Sequence, residues 1–190
     1  ITEATYTHNG TPKKLNFNIN KFLKFKDKIS YIVVNEPPPD ILDISINDSE
    51  DAKADKLILN GYKRDNYQRQ MAKKVLENAD PDDLIIINDI DEIPDLEKIN
   101  LKEIKKKLIF FKQKMFYYKF NLYYKLMPWY GTKACKKKYL KSAKWLQWTK
   151  NTKYPLWRLD ILFSNKKYND IHFITNGGWH FTNIKSPIDM

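Results

Sequence analysis

Four consecutive aliphatics, Leu84-Ile85-Ile86-Ile87, run directly into Asn88-Asp89-Ile90-Asp91-Glu92-Ile93-Pro94, and no other stretch constrains the fold of this chain as tightly. A run this short and this apolar, bounded by turn residues, predicts a strand buried on both faces, which belongs in a parallel sheet covered by helices. The acids then leave the carboxyl end of the strand, where ligands sit in open α/β sheets. Two carboxylates one residue apart on a bend can share a hard divalent cation, Mg²⁺ or Mn²⁺. The competing reading is a solvated acidic loop in which Asp91 or Asp95 caps a helix starting after Pro94. An Asp-x-Asp pattern alone does not decide between them.

The 190 residues suit one domain with a single core, and 42% apolar content suits a globular protein. The formal charge of +11 rests on lysine, with Arg64, Arg69 and Arg158 as the arginines. Specific phosphate readers favour the arginine fork, so no specific nucleic acid is expected as a partner. The abundance of Lys, Asn and Ile is what an AT-rich genome gives. Cys135 is the single cysteine, which rules out a disulfide within the chain and a cysteine-based zinc site and favours a reducing compartment, with a cytoplasmic location as the default. No apolar run approaches the ~20 residues of a membrane span. The chain begins at Ile1, so a removed upstream segment with an anchor, and a secretory-pathway location, stay open.

Along the chain, residues 28–35 predict a second buried strand, closed by Pro37-Pro38-Pro39. Residues 40–60 read as a surface excursion. A helix is expected over residues 63–78, where Tyr67, Met71, Val75 and Leu76 fall at spacings of three and four. An amphipathic helix is expected over 95–107, an aromatic strand or hairpin over 108–124, and a loop over 127–138. Near the end, Gly177-Gly178 lets the backbone approach a neighbour closely just before Trp179-His180-Phe181-Thr182.

Three separated stretches match one pattern: Glu3-Ala4-Thr5-Tyr6-Thr7-His8-Asn9-Gly10 and onward to Phe17, then Arg64-Asp65-Asn66-Tyr67-Gln68-Arg69-Gln70 with the acidic strand following, and Gly177 to Thr182. In these the sequence resembles glycosyltransferase family 17, the β-1,4-mannosyl-glycoprotein N-acetylglucosaminyltransferase-like proteins. The resemblance implies an α/β fold of GT-A type, with a mostly parallel, Rossmann-like central sheet and helices on both faces. It implies one catalytic domain over residues 1–190, here a fragment lacking the opening strand and the tail of the family pattern. Asp65 stands where the family more usually has Glu, and two residues are inserted before Gly10. The implied chemistry is inverting transfer of a sugar, N-acetylglucosamine by the family relation, from a UDP-sugar to a glycan or glycoprotein acceptor, with Mn²⁺ or Mg²⁺.

The residues fit that chemistry on their own terms. A nucleoside diphosphate leaving group gains negative charge as its bond breaks, and a divalent ion neutralises it. Asp89 and Asp91 are the expected ligands, with His180 as the third, because a neutral imidazole binds Mn²⁺ acceptably. Alternatively His180 is a hydrogen-bonded histidine in an aromatic cluster. Arg64 and Arg69 are candidates for the donor's phosphates, against a competing role in ion pairs with Asp65 or Glu77. Trp179 is a candidate for stacking on a sugar, or a core indole. His8 and His172 read as structural. An inverting displacement needs a base for the acceptor hydroxyl; Glu92 is the first choice, Asp160 and Asp170 the alternatives, and fixing the bend before Pro94 the competing role. Two other functions compete: a metal-dependent phosphohydrolase or nucleotidyltransferase, and a non-catalytic basic module binding nucleic acid or acidic glycans.

Overall fold

The computed structural model describes residues 1–97, 100, 103–155 and 157–184. The chain divides into two compact units, Ile1–Asn78 and Ala79–Met190.

In the first unit, strand β1 (Thr2–Ala4) pairs in parallel with β2 (Ile32–Val34), and helix α1 (Glu50–Met71) packs against both, followed by the single turn α2 (Lys73–Leu76). The expected helix therefore starts 13 residues earlier than residue 63, in what reads as a surface excursion. Ser49 caps it by accepting the Ala52 N–H at 3.2 Å, with Glu50 and Asp51 in the first turn, where the helix dipole favours acids. The apolar period fails over this half because the buried face is polar. Asn60 is 3% exposed, accepting the Leu42 N–H and donating to the Leu42 carbonyl, both at 2.8 Å, while Leu57, Ile58 and Leu59 face solvent. Gln68 does the same for β1, accepting from the Ala4 N–H and donating to the Thr2 carbonyl, each at 3.2 Å.

The second unit holds β3 (Leu84–Ile87), β4 (Glu92–Pro94), β5 (Leu108–Phe111), β6 (Gln113–Tyr117), β7 (Tyr123–Trp129), β8 (Lys133–Lys136), helix α3 (Ala143–Trp148), β9 (Ile171–Ile174) and β10 (Gly178–Thr182). They form two four-stranded sheets, in the orders β3-β8-β5-β9 and β4-β10-β6-β7. The class is α/β, but the mostly parallel sheet is not what forms. In these two sheets, among the described residues, β5 with β9 and β10 with β6 run parallel, while β3 with β8, β5 with β8, β10 with β4 and β6 with β7 are antiparallel. The reason is β8, which lies in the stretch read as a loop. It inserts between β3 and β5 with reversed direction, placing β3 at the sheet's edge, so the aliphatic run is only partly buried.

The strand buried on both faces is β5. Leu108 and Phe110 pack with Cys135, Leu146 of α3 and Ile171 on one side; Ile109 and Phe111 pack with Ala134 and Ile174 on the other. The Cys135 thiol, buried among apolar groups, is pushed up to about 12, which makes it inert. Lys133, also buried, donates to the carbonyls of Gln147 (2.5 Å) and Thr149 (2.7 Å), tying β8 to the end of α3. Burial brings its ammonium down to about 8, against the pull of Glu92. The aromatic run 108–124 breaks at Lys112, whose N–H goes to Ile174 and whose carbonyl takes the Gly177 N–H, so β5 and β6 enter different sheets. The described residues of 95–107 carry turns where the amphipathic helix was expected; 98, 99, 101 and 102 lie outside the description. No helix among the described residues is long and apolar enough to cross a membrane.

Candidate active site

Past the end of β3 the chain makes a tight turn that explains an isoleucine set among acids. The Glu92 N–H donates to the Asp89 carbonyl at 3.1 Å, and the Asn88 side-chain amide donates to the carbonyls of Asp89 (2.9 Å) and Glu92 (3.0 Å). Ile90, 92% exposed, is the tip of this turn, with Asp89 and Asp91 on either side. The turn is then pinned by β10. Glu92 pairs with His180 across the antiparallel β4–β10 ladder, and the Phe181 N–H donates to the Asp91 carbonyl at 2.9 Å. So close an approach needs Gly178, whose φ of +122° suits glycine and where a Cβ would lie 2.0 Å from the Ile93 carbonyl oxygen.

The consequence is a contact between residues 89 positions apart: His180 Nε2 lies 3.2 Å from Asp91 Oδ2. His180 is buried, its ring stacked on Trp129 with centroids 4.5 Å apart and 11° between planes. Its Nδ1 is buried without a hydrogen-bond partner. The Asp91 side chain remains 38% exposed, leaving an open approach from that side.

Glu92 occupies the middle of this arrangement at 3% exposure. Its carboxylate accepts the Trp129 Nε1–H at 2.6 Å, the Asp89 N–H at 3.1 Å and the Thr132 hydroxyl at 3.1 Å, and Gln113 donates in turn to Thr132 at 3.0 Å. Burial raises its pKa above the ordinary glutamate value; the Trp129 and Asp89 hydrogen bonds counter this in part, and the Asp89 charge adds to it. Gly131 makes room for the pair: a Cβ there would lie 1.5 Å from Glu92 Oε1 and 2.2 Å from Trp129 Nε1. Through these bonds Glu92 links the acidic turn to Trp129 of β7 and to Thr132, the residue before β8.

Of the expected ligands, Asp91 and His180 are brought together. Asp89 does not join them, since no three of His, Cys, Asp and Glu gather at metal-holding distance among the described residues. The pair still fits a hard cation. Neighbouring ligands on an octahedral ion at about 2.1 Å lie about 3.0 Å apart, close to the spacing found, and such ions are commonly held by one or two carboxylates plus substrate phosphates. Trp179 sits one residue from His180 on β10, so strand alternation turns its ring to the opposite sheet face. The tryptophan at the site is Trp129, stacked on His180 from a stretch whose sequence predicts a loop. Its signal was Pro128-Trp129-Tyr130-Gly131-Thr132, a glycine directly after two aromatics.

Arg64 and Arg69 belong to α1 in the first unit. Arg64 donates to the His8 carbonyl at 2.7 Å and packs so closely on the Thr7-His8-Asn9-Gly10 turn that a Cβ on Gly10 would lie 2.6 Å from its guanidinium. Arg69 pairs with Asp65 at 3.0 Å, the competing role considered for it. The alternative bases are also engaged: Asp170 accepts the Lys107 N–H at 3.2 Å, and Asp160 is ion-paired with Arg158 and Lys167.

No curated protein and no solved structure matches the chain. A family pattern does, over residues 1–156, a span that includes the Glu3 stretch, α1 and the acidic turn and stops before His180. By that match the chain belongs to glycosyltransferase family 17.

Proposed function

We propose that this glycosyltransferase moves a sugar, N-acetylglucosamine, from a UDP-sugar to a hydroxyl of a glycan acceptor with inversion, using a divalent cation. The observation that carries the reading is the 3.2 Å approach of His180 Nε2 to Asp91 Oδ2, assembled from two distant stretches at the end of an acidic turn. Asp91 and His180 are the residues that would hold the cation, Mn²⁺ or Mg²⁺, which when bound supplies positive charge to the departing diphosphate. Trp129 orients the His180 imidazole by stacking and shields one of its faces from water. Glu92 positions Asp91 by fixing the turn, and the GT-A-type single catalytic domain is the framework that the family relation supports. No specific observation favours the phosphohydrolase or the basic binding module.

The test is thermal. In Mn²⁺, UDP and UDP-N-acetylglucosamine are expected to raise the melting temperature and UMP much less, because the second phosphate completes the cation's oxygen shell. Asp91→Asn removes the charge that holds a hard cation and abolishes the Mn²⁺-dependent part. His180→Ala weakens it less, since water can replace one neutral ligand. No shift with any nucleotide, or an equal shift in Asp91→Asn, overturns the reading. A UDP-release assay across nucleotide sugars then names the donor, and a β-linked product from an α-linked donor establishes inversion.

A further inference from the structure

The β6–β7 hairpin carries a concentration of tyrosine that the transfer chemistry above does not use. Tyr117, Tyr118, Tyr123 and Tyr124 line an open groove of about 720 Å³, with Lys125 and Met127 among its other lining residues. Tyr118 and Tyr124 are 44% and 41% exposed. Tyr117 meets both: its ring is tilted 49° to Tyr118 at 5.7 Å and stands edge-on to Tyr124 at 5.9 Å. The rings therefore brace one another and face solvent, a costly use of aromatic surface in a chain with a core elsewhere.

Two further observations tie the groove to the site. The first is register. His180 pairs with Met115 of β6, Met115 pairs with Tyr124 of β7, and His180 pairs with Glu92 on its other side, so Glu92, His180, Met115 and Tyr124 form one row across the sheet on a single face. Two strand spacings separate Tyr124 from His180, about 10 Å. Tyr117, two residues beyond Met115, lies on the same face. The second is backbone conformation. Tyr118 has a φ of +63°, the left-handed region that bulky side chains avoid, held by its N–H to the Thr182 carbonyl at 3.2 Å. Asparagine, which occupies that region at Asn176 and Asn183 in the same unit, would sit there with less strain. A tyrosine kept where it is disfavoured points to a use for its ring.

We propose that this tyrosine groove is a binding subsite for the pyranose rings of a neutral oligosaccharide, the extended arm of the acceptor. Sugar rings present apolar C–H faces with hydroxyls at their edges, and tyrosine matches both, with a flat apolar face and a polar tip. Among the described residues that line the groove, Lys125 is the one that carries a charge, which favours a neutral ligand over an acidic one. Naming the ligand an acceptor rests on the transferase reading; binding of the sugar does not.

The experiment titrates the full chain, without nucleotide, with tetrasaccharides of β-1,4-linked N-acetylglucosamine, β-1,4-linked glucose and α-1,2-linked mannose, followed by saturation-transfer NMR and calorimetry. At least one is expected to bind, with saturation transfer from tyrosine ring protons, and Tyr124→Ala to weaken it by ~10-fold or more, the scale of one stacked ring. Tyr118→Asn is the second variant: it is expected to melt at or above the wild-type temperature while losing affinity, a split that a merely structural tyrosine does not give. The Mn²⁺-dependent UDP shift is expected to persist in both variants. Failure of that shift in the wild type strikes the transferase reading and leaves sugar binding to be read by itself. Absence of binding to all three sugars, or wild-type affinity in both variants, overturns the subsite. Binding of sulfated oligosaccharides alone, removed by salt and by Lys125→Gln, overturns its neutral character.

Discussion

Two glutamates organise the two units, and they do so in opposite electrostatic settings. Glu3 in β1 accepts the Asn16 and Phe17 N–H groups at 2.7 and 3.1 Å, the Tyr31 hydroxyl at 2.8 Å and the Lys13 ammonium at 2.7 Å. Burial pushes its pKa up, but Lys13 and the three neutral donors outweigh it, and the carboxyl titrates at about 2. Glu92 has three neutral donors and no cation among its hydrogen-bond partners, with the Asp89 charge acting against it, and its pKa is raised. Each accepts from three neutral donors, and those do not distinguish them. The lysine does, together with the depth of burial. Glu3 closes a satisfied, self-contained knot, whereas Glu92 sits buried beneath the acidic turn that carries Asp89 and Asp91.

The largest expected effect breaks the Glu92 side of this contrast by steric means. Gly131→Ala drives a methyl group into Glu92 Oε1 and Trp129 Nε1, and overpacking of a buried site is expected to cost about 3 kcal/mol or more, read as a fall in the urea midpoint or as insoluble protein. Next is Glu92→Gln, which keeps shape but presents an amide N–H₂ where Glu92 now only accepts; about 1–3 kcal/mol of stability is expected to be lost. The same variant sharpens the role of Glu92. A base role requires transfer to fall ~10²-fold or more with UDP-sugar binding intact; the positioning role requires transfer and the Mn²⁺-dependent UDP shift to fall together.

Glu3→Ala is expected to be milder, about 1 kcal/mol, because the N–H groups it releases near Asn16 can turn to water. Its pH dependence has a defined sign. The folded-state pKa lies below the ordinary 4.5, so the stability it contributes is complete above pH 4.5 and is lost as pH falls towards 2. Wild type and Glu3→Ala are expected to converge in melting temperature over that interval. The smallest effect is the control: Asp82→Asn, removing a solvent-exposed carboxylate paired with Lys136 and Lys138, is expected to move the melting temperature by no more than about 2 °C.

How far the sequence could be read depended on whether a residue's role was local. The acidic turn is legible because its local signals, an aliphatic run, Asn88 and the acids around Ile90, lie within eleven residues, although β10 and Trp129 hold it in place. The family could be read as well, since the Glu3 and Arg64 stretches lie inside the matched span. The start of α1 was not, because a helix that buries Asn60 and Gln68 against backbone leaves no apolar period to detect. Strand β8 is hidden because Lys133-Ala134-Cys135-Lys136 reads as a charged loop; the carbonyls at the end of α3, with the Phe110 ring and the Glu92 charge, make a buried lysine tolerable there.

By itself, then, the sequence determined the family, the α/β class and the acidic turn. Tertiary structure decided the rest: that β8 runs backwards through the sheet, that Trp129 rather than Trp179 covers His180, and that Glu92 is buried and hydrogen-bonded to Trp129 and Thr132. The physical reason is that sequence patterns report burial and turns over a few residues, while direction of pairing, face of a sheet and access to solvent are set by which distant strand becomes the neighbour.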